Sequence, residues 1–304
     1  MSFDDGLMLG LMLGGDGGGG GDEEWFPPDD WLPVPEPDEW EIYYLIQVNN
    51  SSNNVSLRFA EPGSRAQGFG TLIVDWGDGN TNTYEEFYSL SDVKHSYSDE
   101  GQFIIKITTD KKNCLSGGLN TANNIDILIC KSGSNIVYAV GNSYDPGFSW
   151  KNTAGISKLH YLKHYGESTL FSRMFSQCYY LKKVEMVNHP ITVVPDQCFA
   201  NCYTLQNIDL SEVTEVQSYG FGYMYGTMLK KISMPKCVTL GNSAFVYNYG
   251  LEEINVPKCD TVGSSAFSQC YTLKKAVFAE NCTYGAYCFI QCYNLYPHPD
   301  GSAY

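Results

Sequence analysis

The chain has 304 residues, 43% of them hydrophobic, which is enough for two or three small domains with cores of their own. Its formal net charge of −15 is concentrated at one end: residues 1–41 hold twelve Asp and Glu and no Lys or Arg, and the rest holds 22 acids against 19 bases. That acidity excludes nucleic acid or an anionic membrane as the natural partner of the N-terminal segment, and no run reaches the ~18 to 20 apolar residues that a membrane span needs.

The first predicted element is a short apolar stretch, Leu7, Met8, Leu9, Leu11, Met12 and Leu13, followed by the glycine run Gly17 to Gly21. Acids precede it where a secretory signal carries positive charge, so export by the usual route is not expected. It reads either as a tail without fixed structure or as a docking peptide that orders on another protein. Residues 25–40 mix Trp25, Trp31 and Trp40 with prolines and acids. Proline favours an extended spacer here, and the tryptophans are expected to pack on the next domain or on a partner. Residues 1–40 thus form an anchor peptide and linker.

Residues 41–112 read as a β-rich domain. Glu41 to Val48 is strand-like, and Val55 to Phe59 alternates with period two. The phrase Asp75-Trp76-Gly77-Asp78-Gly79 ends a hydrophobic run with a tight-turn signal. It is followed by His95-x-Tyr97 and Gly101-x-Phe103. This arrangement resembles a PKD-type immunoglobulin-like β-sandwich. The resemblance implies a core tryptophan, an Asp-Gly turn, and a spacer or adhesion module. Two carboxylates are too few for a calcium site, so Asp75 and Asp78 are assigned to the turn. Residues 113–170 form a bridge, with strands near Asn124 to Cys130 and Asn135 to Val140, and the N-terminal cap of a repeat region.

From residue 171 to 304 the sequence repeats. Leu181, Leu205, Leu229, Leu251, Leu273 and Leu295 recur at 24, 24, 22, 22 and 22 residues, the mark of a solenoid. Phe precedes Leu by six and Cys by three in most units, as in Phe175, Cys178 and Leu181 or Phe267, Cys270 and Leu273. The Phe-x-x-Cys-x-x-Leu portion suits one or two helical turns, and the residues after Leu suit a strand. In the third unit Tyr223 and Gly226 stand six and three before Leu229, so this unit departs from the pattern. Cys178, Cys202, Cys270 and Cys292 share one repeat position, and Cys237 and Cys259 another, which reads as reduced, stacked core rungs. Zinc is the alternative at Cys198/Cys202 and Cys288/Cys292, but the ligand spacing does not match.

These units resemble the BspA-type leucine-rich repeat of bacterial surface proteins and phage genomes. The expected fold is therefore mainly β, an immunoglobulin-like sandwich followed by a leucine-rich-repeat solenoid with short helical turns. Two surfaces are candidates for ligand. One is the outward strand ladder with Lys183, Lys231, Glu253 and Lys275. The other is the tyrosine two before each leucine: Tyr179, Tyr203, Tyr249, Tyr271 and Tyr293. Tyrosines combine stacking area with a hydroxyl and suit sugar or protein recognition. No catalytic motif, cofactor fingerprint or metal cluster stands out. The sequence reading is a non-enzymatic phage virion protein, a capsid or tail decoration or fibre, docked on other virion proteins by its N-terminal segment. Its repeats would touch a host surface glycan or protein, and homo-oligomerisation is left open. The alternative is a bacterial cell-surface adhesin.

Overall fold

A computed structural model describes residues 24–49, 54–60, 71–85, 89–110, 113–121, 125–138, 159–167 and 169–302. The expected anchoring residues Leu7, Met8, Leu9, Leu11, Met12 and Leu13 lie outside them.

Strand β1 (Glu41–Val48) is central to the fold. Its residues are hydrophobic almost without break because both faces are covered. Ile42, Tyr44, Ile46 and Val48 join the main core, while Tyr43 and Leu45 join a second, smaller cluster on the opposite face. Strands β2 (Asn54–Ala60), β5 (Ser89–Ser96), β7 (Asn113–Thr121) and β9 (Ile136–Tyr138) form a separate four-stranded sheet in the order β5-β2-β7-β9. Val55 and Val93 from that sheet share the main core with β1.

The larger sheet has eight strands. β1 is flanked antiparallel by β6 (Gly101–Thr109) and β8 (Ile125–Ser132). Beyond β6 lie β3 (Thr71–Asp75) and β4 (Thr81–Glu85). Beyond β8 the sheet turns parallel: β10 (Tyr161–His164) pairs with β8, β11 (Lys183–Met186) pairs with β10, and Asn207–Ile208 closes the order. The first strands of the repeats therefore continue the N-terminal sheet, and one hydrophobic core runs from Trp76 through Leu162 to Leu295.

The turn after β3 is organised by its own side chains. Asp75 Oδ1 accepts from the Gly77 amide at 2.9 Å and Asp78 Oδ1 from the Asn80 amide at 3.0 Å. Asp78 also meets His95 Nε2 at 2.7 Å, and His95 stacks on the buried Trp76 with ring centroids 4.8 Å apart. Gly77 has φ of 80°, and a Cβ there would stand 2.5 Å from the Ile104 carbonyl oxygen, so no side chain fits.

The repeats form a β-solenoid of about six turns, and the described residues contain no helix. The expected helical turns are replaced by a different backbone. Residues at two points in each coil take φ of 54–65°, among them Gln177, Asn201, Tyr223 and Gln269. A left-handed residue every fourth position interrupts any helix. Amides then alternate. Phe175 donates to Cys198 O of the next coil at 2.9 Å, Cys178 donates back to Phe175 O at 2.9 Å, and Gln177 again donates forward to Ala200 O at 2.8 Å. The same alternation recurs at Phe199, Phe221, Phe245 and Phe267. These forward bonds do the work of a sheet ladder along the turn edge.

The third coil corrects the sequence register. Phe221, not Tyr223, occupies the phenylalanine position, and Met224 takes the cysteine position. Phe175, Phe199, Phe221, Phe245, Phe267 and Phe289 stack with centroids 5.2–5.4 Å apart and planes within 10°. The two extra residues fall after Met224, within Tyr225 to Met228. There the strand ladder breaks: Asn207–Ile208 ends the large sheet, and Lys231–Ser233, Glu253–Asn255 and Lys275–Val277 form their own. The second ladder, from Val193–Val194 to Thr283–Tyr284, continues unbroken.

Cysteines fill the interior as expected: Cys178, Cys202, Cys270 and Cys292 are free and buried. Their thiols bind neighbouring coils, with Cys202 Sγ donating to Phe175 O at 3.1 Å and Cys292 Sγ to Phe267 O at 2.9 Å. In the fourth coil Asn248 stands in this place and donates to Phe221 O at 2.6 Å. At the far end His298 packs over Phe289, centroids 6.0 Å apart, and closes the ring stack.

Residues 24–40 do not project as a spacer but lie across the large sheet. Trp25 packs edge-on to Trp31 and Tyr161, and Trp31 edge-on to His160. Glu36 receives Lys131 at 2.8 Å, Lys163 at 3.0 Å and the Tyr165 hydroxyl at 2.7 Å. Burial alone would raise the Glu36 pKa, but hydrogen bonds from Lys131, Tyr165 and Lys163 outweigh it and bring it to about 2.

Candidate binding surface

The two surfaces singled out in the sequence fare differently. In the strand ladder, Lys183 is buried beneath the N-terminal segment, with Nζ 2.6 Å from Glu24 and 2.7 Å from Glu185. It is closed to a ligand. Lys231, Glu253 and Lys275 are in register on adjacent strands, and Lys275 Nζ lies 3.7 Å from Glu253. Their neighbours Lys274 and Glu252 pair in the same way. This strip largely neutralises itself in solvent, where each such pair is worth little.

The tyrosine row is built more tightly. Tyr179 stacks on Tyr203 with centroids 4.9 Å apart, Tyr249 on Tyr271 at 4.7 Å, and Tyr271 on Tyr293 at 5.8 Å. Tyr225 completes the row between Tyr203 and Tyr249 and was missed in the sequence because the third unit was framed on Leu229. Counting from Phe221 would have found it. Tyr225 is tilted by 53° and 57° to these neighbours, at 6.0 and 5.3 Å. The tilt follows from the two-residue insertion that begins beside it, and it leaves Tyr203 and Tyr249 each with a face not covered by a parallel ring.

Two further rows flank this one, made by the left-handed residues whose side chains the backbone turns outward. The nearer row is Gln177, Asn201, Tyr223, Tyr247, Gln269 and Gln291; the farther is Arg173, Gln197, Tyr219, Ser243, Ser265 and Tyr287. Within a coil the rows bond to each other: the Tyr203 hydroxyl donates to Asn201 Oδ1 at 3.2 Å and the Tyr271 hydroxyl to Gln269 Oε1 at 2.8 Å. In the third and fourth coils tyrosine replaces the amide. Tyr219, Tyr223 and Tyr247 stack at 5.7 and 5.4 Å, and Tyr225 closes on Tyr247 at 5.8 Å. Burial and then the neighbouring Tyr271 push the Tyr249 hydroxyl up to about 12, so it stays a donor at any physiological pH.

The turn edge therefore presents three parallel rows over six coils, mostly half-buried but with Arg173, Tyr287 and Tyr293 exposed and Ser243 buried, and with Arg173 the only formal charge among their eighteen residues. Such a surface can stack, donate and accept hydrogen bonds. It holds no nucleophile paired with a base.

Residues 168–296 match the BspA type Leucine rich repeat region in six copies. Among solved structures, the chain is similar to a leucine-rich repeat protein from Bacteroides ovatus ATCC 8483, with 22% identity over 45% of this chain and 42% of that one and a TM-score of 0.33. It is similar to the T. pallidum leucine rich repeat protein, with 14% identity over 60% of this chain and 87% of that one and a TM-score of 0.33. A leucine rich cell surface protein from Faecalibacterium prausnitzii A2-165 is similar at 20% identity over 63% of this chain and 56% of that one, with a TM-score of 0.39. The chain thus spans less than half the length of the Bacteroides protein and little more than half of the Faecalibacterium one. No functionally curated protein matches.

Proposed function

We propose that this protein is a non-enzymatic binding protein of the bacterial cell surface, whose repeat solenoid holds a partner on its turn edge. The observation that carries the reading is the tyrosine row, six rungs long, on residues that match the BspA type repeat. A rigid stack gives a large amphipathic area at little entropic cost on binding, which suits adhesion. The N-terminal β-rich unit, with its PKD-like phrase, serves in this reading as the stalk.

The virion reading rests on the N-terminal anchor peptide, with Leu7 to Leu13 as its docking residues, and on adhesion-type modules without a secretory signal; it draws no support from the fold. Both readings meet in one experiment: proteomics of the envelope fraction of the source culture against purified phage particles. Enrichment in the envelope, with loss of cell adhesion when residues 171–304 are deleted, is expected. A fixed copy number per particle would overturn the surface assignment in favour of the virion.

A further inference from the structure

The chemistry of the turn edge narrows its partner, on the reading that the solenoid is a binding surface. The chain as a whole is acidic, yet this edge carries almost no charge. Its side chains are phenols, carboxamides and hydroxyls. A charged ligand would find counter-ions only at the first two coils, at Arg173 and at Asp196 beside Gln197, and none along the tyrosine-rich centre. The inventory matches what a neutral sugar requires: aromatic rings for the apolar side of a pyranose, with the parallel stack opened at the tilted Tyr225, and amides that both donate and accept opposite vicinal hydroxyls. At Asn201 and Gln269 the carboxamide oxygen accepts from the tyrosine hydroxyl beside it, which orients the amide within the row.

The two central coils hold a second clue. Tyr219, Tyr223 and Tyr247 occupy left-handed backbone with φ of 56°, 60° and 61°. A bulky residue is uncommon there, and holding one is a constraint that packing alone does not demand, since other coils place Asn or Gln at the rung of Tyr223 and Tyr247, and Gln or Ser at that of Tyr219. Tyr223 and Tyr247 lie against the tilted Tyr225, where the regular stack opens, and Tyr219 extends the group through Tyr223. We infer that the edge is a binding site for a neutral polysaccharide, with Tyr219, Tyr223, Tyr225 and Tyr247 as the stacking platform and the carboxamides of Asn201 and Gln269 on either side as hydrogen-bonding flanks.

The test uses the full chain and the double variant Tyr223→Asn/Tyr247→Asn. Asparagine tolerates left-handed backbone and already serves this rung at Asn201, so the variant keeps the fold, checked by its unfolding midpoint. Binding is measured on immobilised dextran, galactomannan and xylan, and on mucin before and after chemical deglycosylation. At least one neutral polysaccharide should bind, the variant should lose about ten-fold or more in affinity, and deglycosylation should abolish mucin binding. Absence of binding to every neutral polysaccharide, or binding untouched by the variant, overturns the inference. Tyrosine-dependent binding that survives deglycosylation also overturns it, in favour of a protein partner, and leaves the surface-binding reading standing. Loss of adhesion in the residue 171–304 deletion is a separate measurement, so the two failures are told apart.

Discussion

The Ser132 hydroxyl on β8 lies 2.7 Å from His164 Nδ1 on β10, and both residues are wholly buried. This pair sits where the sheet changes from antiparallel to parallel. Burial, with a smaller contribution from His189, holds the His164 pKa down to about 3, so the ring is neutral in the folded protein. The folded state therefore binds fewer protons than the unfolded chain, whose histidine titrates near 6.5. The stabilisation is fully present above pH 6.5 and is lost as pH falls from there toward 3, at about 1.4 kcal/mol per pH unit. Urea unfolding at pH 7.5 and 5.5 should differ by about that amount, in a window where carboxylates stay ionised. His164→Gln should flatten the difference; an unchanged slope in that variant would assign it to other groups.

Glu36 titrates in a lower window. Its folded pKa near 2 lies below the usual 4.5, so its contribution is complete above pH 4.5 and fades as pH falls toward 2. The carboxylate is half exposed, which keeps the energy small. The local effect is more visible. Glu36→Gln should loosen residues 24–40 from the sheet, and limited proteolysis should cut near Pro33 to Asp38 faster while leaving the solenoid intact. Trp31→Ala, which removes the ring packed on His160, should do the same more strongly.

Asn248 offers a gain. Its Nδ2 donates to Phe221 O and Phe245 O, but Oδ1 is buried without a partner. An unmet buried acceptor costs about 1–3 kcal/mol. Cysteine fills this rung in four other coils, and Cys270 Sγ reaches Phe245 O at 3.1 Å. Asn248→Cys should therefore raise the thermal midpoint, whereas Asn248→Leu, which strips the donor as well and adds a branched side chain, should lower it. Scanning calorimetry on both decides the matter.

Much of this fold was legible because the repeat carries its own ruler. The Phe, Cys and Leu positions and the tyrosine row were all visible in their spacing. The third coil was not, because Leu229 kept the pattern's appearance while the insertion shifted everything before it. Only the ring stack shows that Phe221 and Tyr225 hold the rung. The turn conformation was misread for a different reason: Phe-x-x-Cys-x-x-Leu has helical spacing, but the amides of alternate residues are committed to the next coil, a bond no single repeat can reveal. Lys183 looked like an open rung because nothing in its own repeat says that Glu24, far away in sequence, lies upon it. The sharing of one sheet between β8 and the first coils was equally silent, since a parallel pairing such as Leu162 with Cys130 leaves no local mark.

The phenylalanine stack predicts a graded response along the solenoid. Phe245 is wholly buried between Phe221 and Phe267, at 5.3 Å from each. In a solenoid each coil is held by its two neighbours, so a central truncation weakens two interfaces at once. Phe245→Ala should cost about 3–5 kcal/mol and leave a cavity one coil beyond the break between Asn207–Ile208 and Lys231–Ser233, between coils whose own strands stay paired. The unit should then separate into two steps of unfolding. Phe289, on the last coil, stacks on Phe267 alone and is otherwise covered by His298, Tyr284 and Phe278. Phe289→Ala should free that coil without disturbing the rest. Hydrogen exchange separates the cases: loss of protection confined to residues 275–302 is expected for Phe289→Ala, and loss on both sides of residue 245 for Phe245→Ala. Equal, chain-wide loss in both variants would mean that the solenoid and the N-terminal sheets unfold as one unit.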